Sequence, residues 1–225
     1  MKKFEHELDV LRERVAKMGD LVESMVAHAI EALTEPEESS HYERVLAEEE
    51  RLDQMQLDID AEAIRLLTVY GPVAHDLRII LVVSRINSEL ERIGDQTVAL
   101  CNHLQLMVTK SDTRPLAQFL RMAKVVRAMV HDALKAFRLD DSHRAHTTMA
   151  SDNLVDTLND QIIRELLGDG AEQPPPGTRK DVVGSLSQIL IAQALERVGD
   201  EACNICEQIV YMVEGADIRH SPKHA

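Results

Sequence analysis

The amino-acid sequence predicts an all-α protein, a tandem duplication of antiparallel three-helix bundles with six long helices in all. Three observations carry that expectation. Apolar residues recur at alternating steps of three and four along most of the chain, which is the period of a helix face. No stretch shows the two-residue alternation of a half-buried strand. The second half also repeats the first, so that Met122, Met129, Ala133 and Ala136 sit 104 positions after Met18, Met25, Ala29 and Ala32. With 225 residues and 44% hydrophobic composition the chain can bury a sizeable core, and 9 Gly and 7 Pro leave room for uninterrupted helices.

Each element follows in order. Met1, Phe4, Leu8, Leu11, Val15, Met18, Val22, Met25, Ala29 and Ala32 form a heptad seam, which predicts a first helix to about Leu33. Pro36 and Ser39-Ser40 punctuate. A second helix then carries Leu52, Met55, Ile59, Ala63 and Leu66 to about Tyr70, where Gly71-Pro72 stops it. The third carries Ile79, Val83, Ile86, Leu90, Ile93, Thr97, Leu100, Leu104 and Met107. Ser111 to Pro115 reads as a break with cap and first-turn residues.

After Pro115 the plan repeats. The fourth helix holds the Met122 to Ala136 set. A fifth runs from about Ser142 to Leu167 and ends in Gly168-Asp169-Gly170, a helix C-terminal signal. Glu172 to Gly177, with Pro174, Pro175 and Pro176, is a loop. The last helix is expected from about Arg179 to Glu214, and its Ile191, Leu195, Val198, Ala202, Ile205, Ile209 and Met212 match the third helix at an offset of 105. The tail after Gly215, with His220, Pro222 and His224, is expected to fray. Helices of about 30–35 residues are roughly 45–50 Å long. The domains expected are 1–111 and 112–225, each a left-handed three-helix bundle.

Composition narrows the function. With 25 Lys+Arg against 39 Asp+Glu the formal charge is −14. A nucleic-acid backbone or an anionic lipid surface would be repelled. There is no Trp, with three Phe and three Tyr, so little aromatic surface is available for base stacking. The segment Met1 to Glu7 lacks the apolar core of a signal peptide, and the run Ile79 to Val83 is too short to span a bilayer. Cys101, Cys203 and Cys206 form no disulfide framework; Cys203-x-x-Cys206 falls inside a helical pattern, so all three read as buried small hydrophobes. The protein is expected to be cytoplasmic, without membrane insertion.

The two halves agree best at one place. Leu90-Glu91-Arg92-Ile93-Gly94-Asp95 recurs as Leu195-Glu196-Arg197-Val198-Gly199-Asp200. Glu91 and Asp95 share one helix face, as do Glu196 and Asp200. The second helix offers Glu49 and Asp53, and its counterpart Asp152 and Asp156. Like charges four apart cost a few tenths of a kcal/mol when exposed, more when partly buried. Four carboxylates from two adjacent helices could offset this by enclosing a cation; an all-oxygen set suits iron, manganese, magnesium or calcium, and zinc less selectively. Asn204, four beyond Asp200, adds an oxygen in the second half. The alternative is a solvated acidic face on which Arg92 and Arg197 pair with neighbouring carboxylates. Gly94 and Gly199, each costing about 1 kcal/mol inside a helix, would admit a neighbouring helix or a metal-bound group. A ferritin-like di-iron enzyme would need two Glu-x-x-His pairs; Glu38 to His41 is the single instance and has no second-half counterpart. His143 and His146 lie near a helix start and read as surface residues.

Tyr70-Gly71-Pro72-Val73-Ala74-His75-Asp76-Leu77-Arg78, followed by the two Glu-Arg-hydrophobic-Gly-Asp copies, resembles the PhoU family of phosphate-signalling regulators over nearly the whole chain. The resemblance implies two three-helix bundles whose acidic motifs hold iron or zinc. It further implies a cytoplasmic negative regulator that contacts the ATPase subunit of the phosphate ABC transporter and a phosphate-sensing histidine kinase. It places metal contacts at Glu49, Asp53, Glu91 and Asp95, and at Asp152, Asp156, Glu196, Asp200 and Asn204. The sequence departs from the family pattern at Gln96-Thr97-Val98-Ala99, where His-Ala-x-Asn is usual, and at Glu201, where His is common. The Pro-Val-Ala-x-Asp-Leu-Arg segment has no second copy beyond Asp181. The second-half site, which has Asn204, is therefore expected to be the better one.

The expectation is a non-enzymatic regulator that acts by docking its acidic faces on partners, with metal shaping those faces. Direct phosphate binding at such faces would require metal, because they repel anions. A homodimer is expected from the long helical faces. The competing readings are a metal-free helical adaptor and a carboxylate-bridged metalloenzyme.

Overall fold

The computed structural model describes residues 2–111, 113–167 and 181–219. Seven helices account for most of them: α1 Lys2–Thr34, α2 Ser39–Tyr70, α3 Ala74–Lys110, α4 Ala117–Leu139, α5 Ser142–Met149, α6 Asp152–Leu167 and α7 Val182–Glu214. Among the described residues there is no strand, and no helix is long and apolar enough to cross a membrane. The expected Gly168-Asp169-Gly170 stop, the proline loop, the Arg179 start and the tail residues His220, Pro222 and His224 lie outside the described residues.

The helices form where the periodicity placed them, and their stripes are buried. Leu11, Val15, Met18, Val22 and Met25 of α1 pack against Leu52, Ile59 and Leu66 of α2 and against Val83, Ile86, Leu90 and Ile93 of α3. α2 ends at Gly71, whose φ of 54° is the left-handed conformation that glycine adopts without a Cβ penalty; its N–H donates to Leu67 O at 3.1 Å.

The second bundle is built alike with one exception. The predicted fifth helix is two helices, α5 and α6, parted at Ala150–Ser151. Thr147 and Thr148 donate their hydroxyls back to the carbonyls of His143 and Arg144, both at 3.0 Å, a bond that competes with helix continuation. Ser151 N–H then donates to Thr148 O at 3.0 Å, a tight turn that restarts the chain at Asp152.

The bundles join along two seams into one apolar core. On the α1–α4 seam, Gly19 lies under Leu134, Arg138 donates to Ala16 O at 3.0 Å and pairs with Asp20, and Arg12 pairs with Asp140 while stacking 5.6 Å from the Phe137 ring. α3 and α7 form the larger central seam. The linker between repeats is tied to this seam: Ser111 and Thr113 donate hydroxyls to Asp181, which caps α7 by accepting from Gly184 N–H at 2.9 Å.

Candidate functional site

In the first repeat, the antiparallel pairing of α2 and α3 sets Glu49 and Asp53 beside Glu91 and Asp95. Gly94 makes the approach possible: a Cβ there would run into Leu52 Cδ2, and Leu52 is fully buried. The carboxyls of Glu49, Glu91 and Asp95 are each held above their ordinary range, first by burial and then by their acidic neighbours. Asp53 and Asp95 act on Glu49, Asp95 and Asp53 on Glu91, and Asp53 on Asp95. The two helices thus bring all four predicted groups into one electrostatic neighbourhood. Arg92 offsets this only in part, at Glu91, because its ion pairs are with Glu89 at 3.2 Å and with Glu201 at 3.9 Å across the central seam.

In the second repeat the same motif is packed differently. A Cβ on Gly199 would meet Val155 Cγ1 at 3.5 Å, an ordinary contact, so this glycine leaves slack that Gly94 lacks. Asp152 is buried at the start of α6, Asp156 is exposed, and Glu196 and Asp200 are half-buried on α7. Asn204 donates its Nδ2–H to Glu201 Oε2 at 2.7 Å in the central seam. Among the described residues no three His, Cys, Asp or Glu side chains converge as a formed coordination set. The donor chemistry of the first-repeat four fits a hard cation, and their shared field is one a cation would relieve.

The central seam holds a feature that repeat matching misses. Glu89 of α3 and Glu201 of α7 hydrogen-bond across it, and Glu89 is pushed up to about 7, by burial first and then by Glu201; Arg92 and Asn204 pull it the other way. The repeat-equivalent positions are Ala194 and Gln96, so no duplicated signal marks this pair. The one available clue was Glu201 itself, at a position where the family pattern reads His.

The remaining candidates fall elsewhere. His41 sits at the α1–α2 turn, its Nδ1 3.2 Å from Glu31 and its Nε2 3.8 Å from Glu35. His143 lines an open cleft of about 530 Å³ with Lys124 and Arg144, and none of the nine predicted metal contacts borders that cleft. His146 instead lies 3.8 Å from Glu214. None of the three cysteines forms a disulfide; Cys101 and Cys206 are buried, and burial pushes both thiols up to about 12.

Comparison with known proteins returns one family. A family model described as the PhoU domain matches residues 15–104 and again 119–209, one copy in each bundle. The phosphate-specific transport system accessory protein PhoU homolog of Pseudomonas putida is 35% identical over 218 residues, covering 96% of this chain and 83% of that protein. The crystal structure of PhoU from Pseudomonas aeruginosa superposes with a TM-score of 0.87 at 31% identity, over 95% of this chain and 100% of that one. The phosphate transport system regulatory protein PhoU from Streptococcus pneumoniae superposes at 0.83 with 25% identity, over 95% and 98%.

Proposed function

The chain belongs to the PhoU family, and from that membership we propose a non-enzymatic, cytoplasmic negative regulator of phosphate uptake and phosphate-starvation signalling. The observation that carries this reading is the double PhoU match, one per bundle, in a chain whose relatives are named for accessory and regulatory roles in phosphate transport. The activity is protein–protein contact. Its partners are the ATPase subunit of the phosphate transporter and a phosphate-sensing kinase, and the net charge of −14 favours basic docking surfaces on them. A second copy of the chain is a third partner. α2 leaves Leu57 and Ile64, two turns apart, 62% and 64% exposed on its outer face, which supports a homodimer.

Metal is part of the reading. Glu49, Asp53, Glu91 and Asp95 would hold iron, zinc, manganese or magnesium in the first repeat; Asp152, Asp156, Glu196, Asp200 and Asn204 would do so in the second. A bound cation would lower the negative potential of the docking face and fix the α2–α3 spacing.

The regulatory claim is tested by deleting the gene and measuring transporter expression at high phosphate. Expression should rise and fall again on complementation; unchanged expression sinks the claim. Elemental analysis of protein purified without chelator, with and without Glu91→Ala plus Asp95→Ala, separates the metal-bound regulator from a metal-free adaptor.

A further inference from the structure

At one end of the central seam the charge reverses. Arg78 and Arg85, two turns apart on α3, both reach the ring of Tyr211 in the last turn of α7, with their guanidinium carbons 5.6 and 5.8 Å from its centroid. The chain then turns at Gly215, where φ is 74° and an added Cβ would lie 2.5 Å from Arg78 Nη1, so the backbone closes over that guanidinium. Ile218 packs against the core and anchors the returning segment. That anchor places Arg219, which forks Asp217 through Nε at 2.9 Å and Nη2 at 2.6 Å. Asp217 is drawn down to about 2 by Arg219 first, and Arg85 adds to the effect, so the guanidiniums share one neighbourhood.

Among the described residues, Arg219 has its carboxylate, but neither Arg78 nor Arg85 forms an ion pair. Arg85 donates to the neutral Gln208 Oε1 at 3.1 Å. A position near the carbonyl end of α7 suits Arg78 as a cation at a helix C-terminus. That does not account for Arg85, which lies two turns further along α3. Two guanidiniums drawn to one ring repel each other, and stacking on an aromatic face fixes their planes while leaving each with N–H donors beyond the one Arg85 gives to Gln208. Open guanidinium forks are the donor set for a bidentate oxyanion.

We propose that Arg78 and Arg85, backed by Tyr211 and bordered by Arg219, form a binding site for a phosphoryl oxyanion, free or as a phosphate monoester. The acidic helix faces still repel anions; this corner is where the chain accepts one. The site is independent of the metal reading, because none of its residues belongs to a carboxylate pair.

The test titrates the full chain with inorganic phosphate and, separately, with phosphoserine, by calorimetry at low ionic strength. Tyrosine emission is followed in parallel, since the chain has no Trp and only three Tyr. Saturable binding is expected, weakened about tenfold or more by Arg85→Gln and by Arg78→Gln, and unchanged by Arg92→Gln. Tyr211→Phe should retain binding and Tyr211→Ala should weaken it. A preference for phosphoserine assigns a monoester as the bound form, and a preference for phosphate assigns the free ion. Should Arg78→Gln lose helicity by circular dichroism, Arg85→Gln decides alone. No saturable binding of either anion up to about 10 mM, or equal binding by Arg85→Gln and the parent chain, overturns the proposal.

Discussion

The two repeats carry the same Glu-Arg-hydrophobic-Gly-Asp motif on the last helix of each bundle, α3 and α7, and they pack it differently. In the first, an unbroken α2 of 32 residues presses Leu52 onto Gly94. In the second, α5 and α6 are parted at Ala150–Ser151, and Val155 stands off Gly199 at a distance that would accommodate a methyl group. The motif thus sets where the carboxylates lie along the helix, while the partner helix sets how closely they are held. A continuous partner brings Glu49, Glu91 and Asp95 into mutual repulsion. A motif match is therefore evidence for placement and not for an equivalent site.

The largest expected effect bears directly on that comparison. If the first-repeat four take a cation, metal at about 100 times its Kd should stabilise the protein by about 2.7 kcal/mol. Thermal unfolding with added Mn²⁺ or Zn²⁺ reads this. Glu91→Ala with Asp95→Ala should remove most of the gain, and Glu196→Ala with Asp200→Ala a smaller part of it. The reverse pattern would make the second repeat the better site, as Asn204 suggests on sequence grounds.

Next in size is the pair of glycines. Gly94→Ala forces Leu52 aside in a filled core, an overpacking cost of about 1–3 kcal/mol. The gain in helix propensity returns about 1 kcal/mol, leaving a net loss of up to about 2 kcal/mol. Gly199→Ala has the propensity gain without the clash and should be neutral or stabilising by up to about 1 kcal/mol. Urea denaturation of the two variants measures both; equal losses would mean that the two bundles are packed alike.

The sequence made the fold legible because helices this long repeat their apolar stripe many times over, and one misplaced residue does not hide it. The break at Ala150–Ser151 was hidden because buried Thr148 continues the stripe after Ala145, while its hydroxyl and that of Thr147 compete for backbone carbonyls. The carboxylate pairs were legible by duplication, and Glu89 was not, because Ala194 and Gln96 erase the copy. Asn204 has a second role that spacing does not show, a hydrogen bond to Glu201 in the central seam. Each four-residue step advances about 40° around a helix, so Asn204 lies about 80° round from Glu196, within reach of that seam. The arginine corner was invisible, because it needs α3 and the turn after α7 to meet in space.

The central seam gives a smaller effect with a defined sign. Glu89 has a folded value of about 7 against an ordinary 4.5, so the folded protein binds the proton more tightly than the unfolded chain does. Its contribution is full below about 4.5 and is lost as pH rises to about 7, with a slope no steeper than about 1.4 kcal/mol per pH unit. Glu49, Glu91 and Asp95 act in the same direction. Glu89→Gln, which retains a hydrogen-bond donor toward Glu201, should flatten stability across this window. An unchanged pH profile would show that the seam holds Glu89 ionised.

The smallest effect has the opposite sign and separates the third helices of the two repeats. α3 begins at Val73, which offers no side-chain cap, whereas α7 begins at Asp181. The Gly184 amide, then the Ser111 and Thr113 hydroxyls, hold the Asp181 carboxyl below its ordinary 3.8. A depressed carboxylate stabilises above its unfolded value and loses that contribution as pH falls through its folded value, so α7 should acquire an acid limb that α3 does not have. Asp181→Asn keeps a capping oxygen and removes the titration, so it should erase part of this limb while costing less at neutral pH than Asp181→Ala. Asp217, held at about 2 by Arg219, titrates in the same region. The comparison is therefore made in an Asp217→Asn background, by thermal unfolding between about pH 2 and 5. If Asp181→Asn leaves the acid limb intact in that background, the cap is not what fastens the linker to the second bundle.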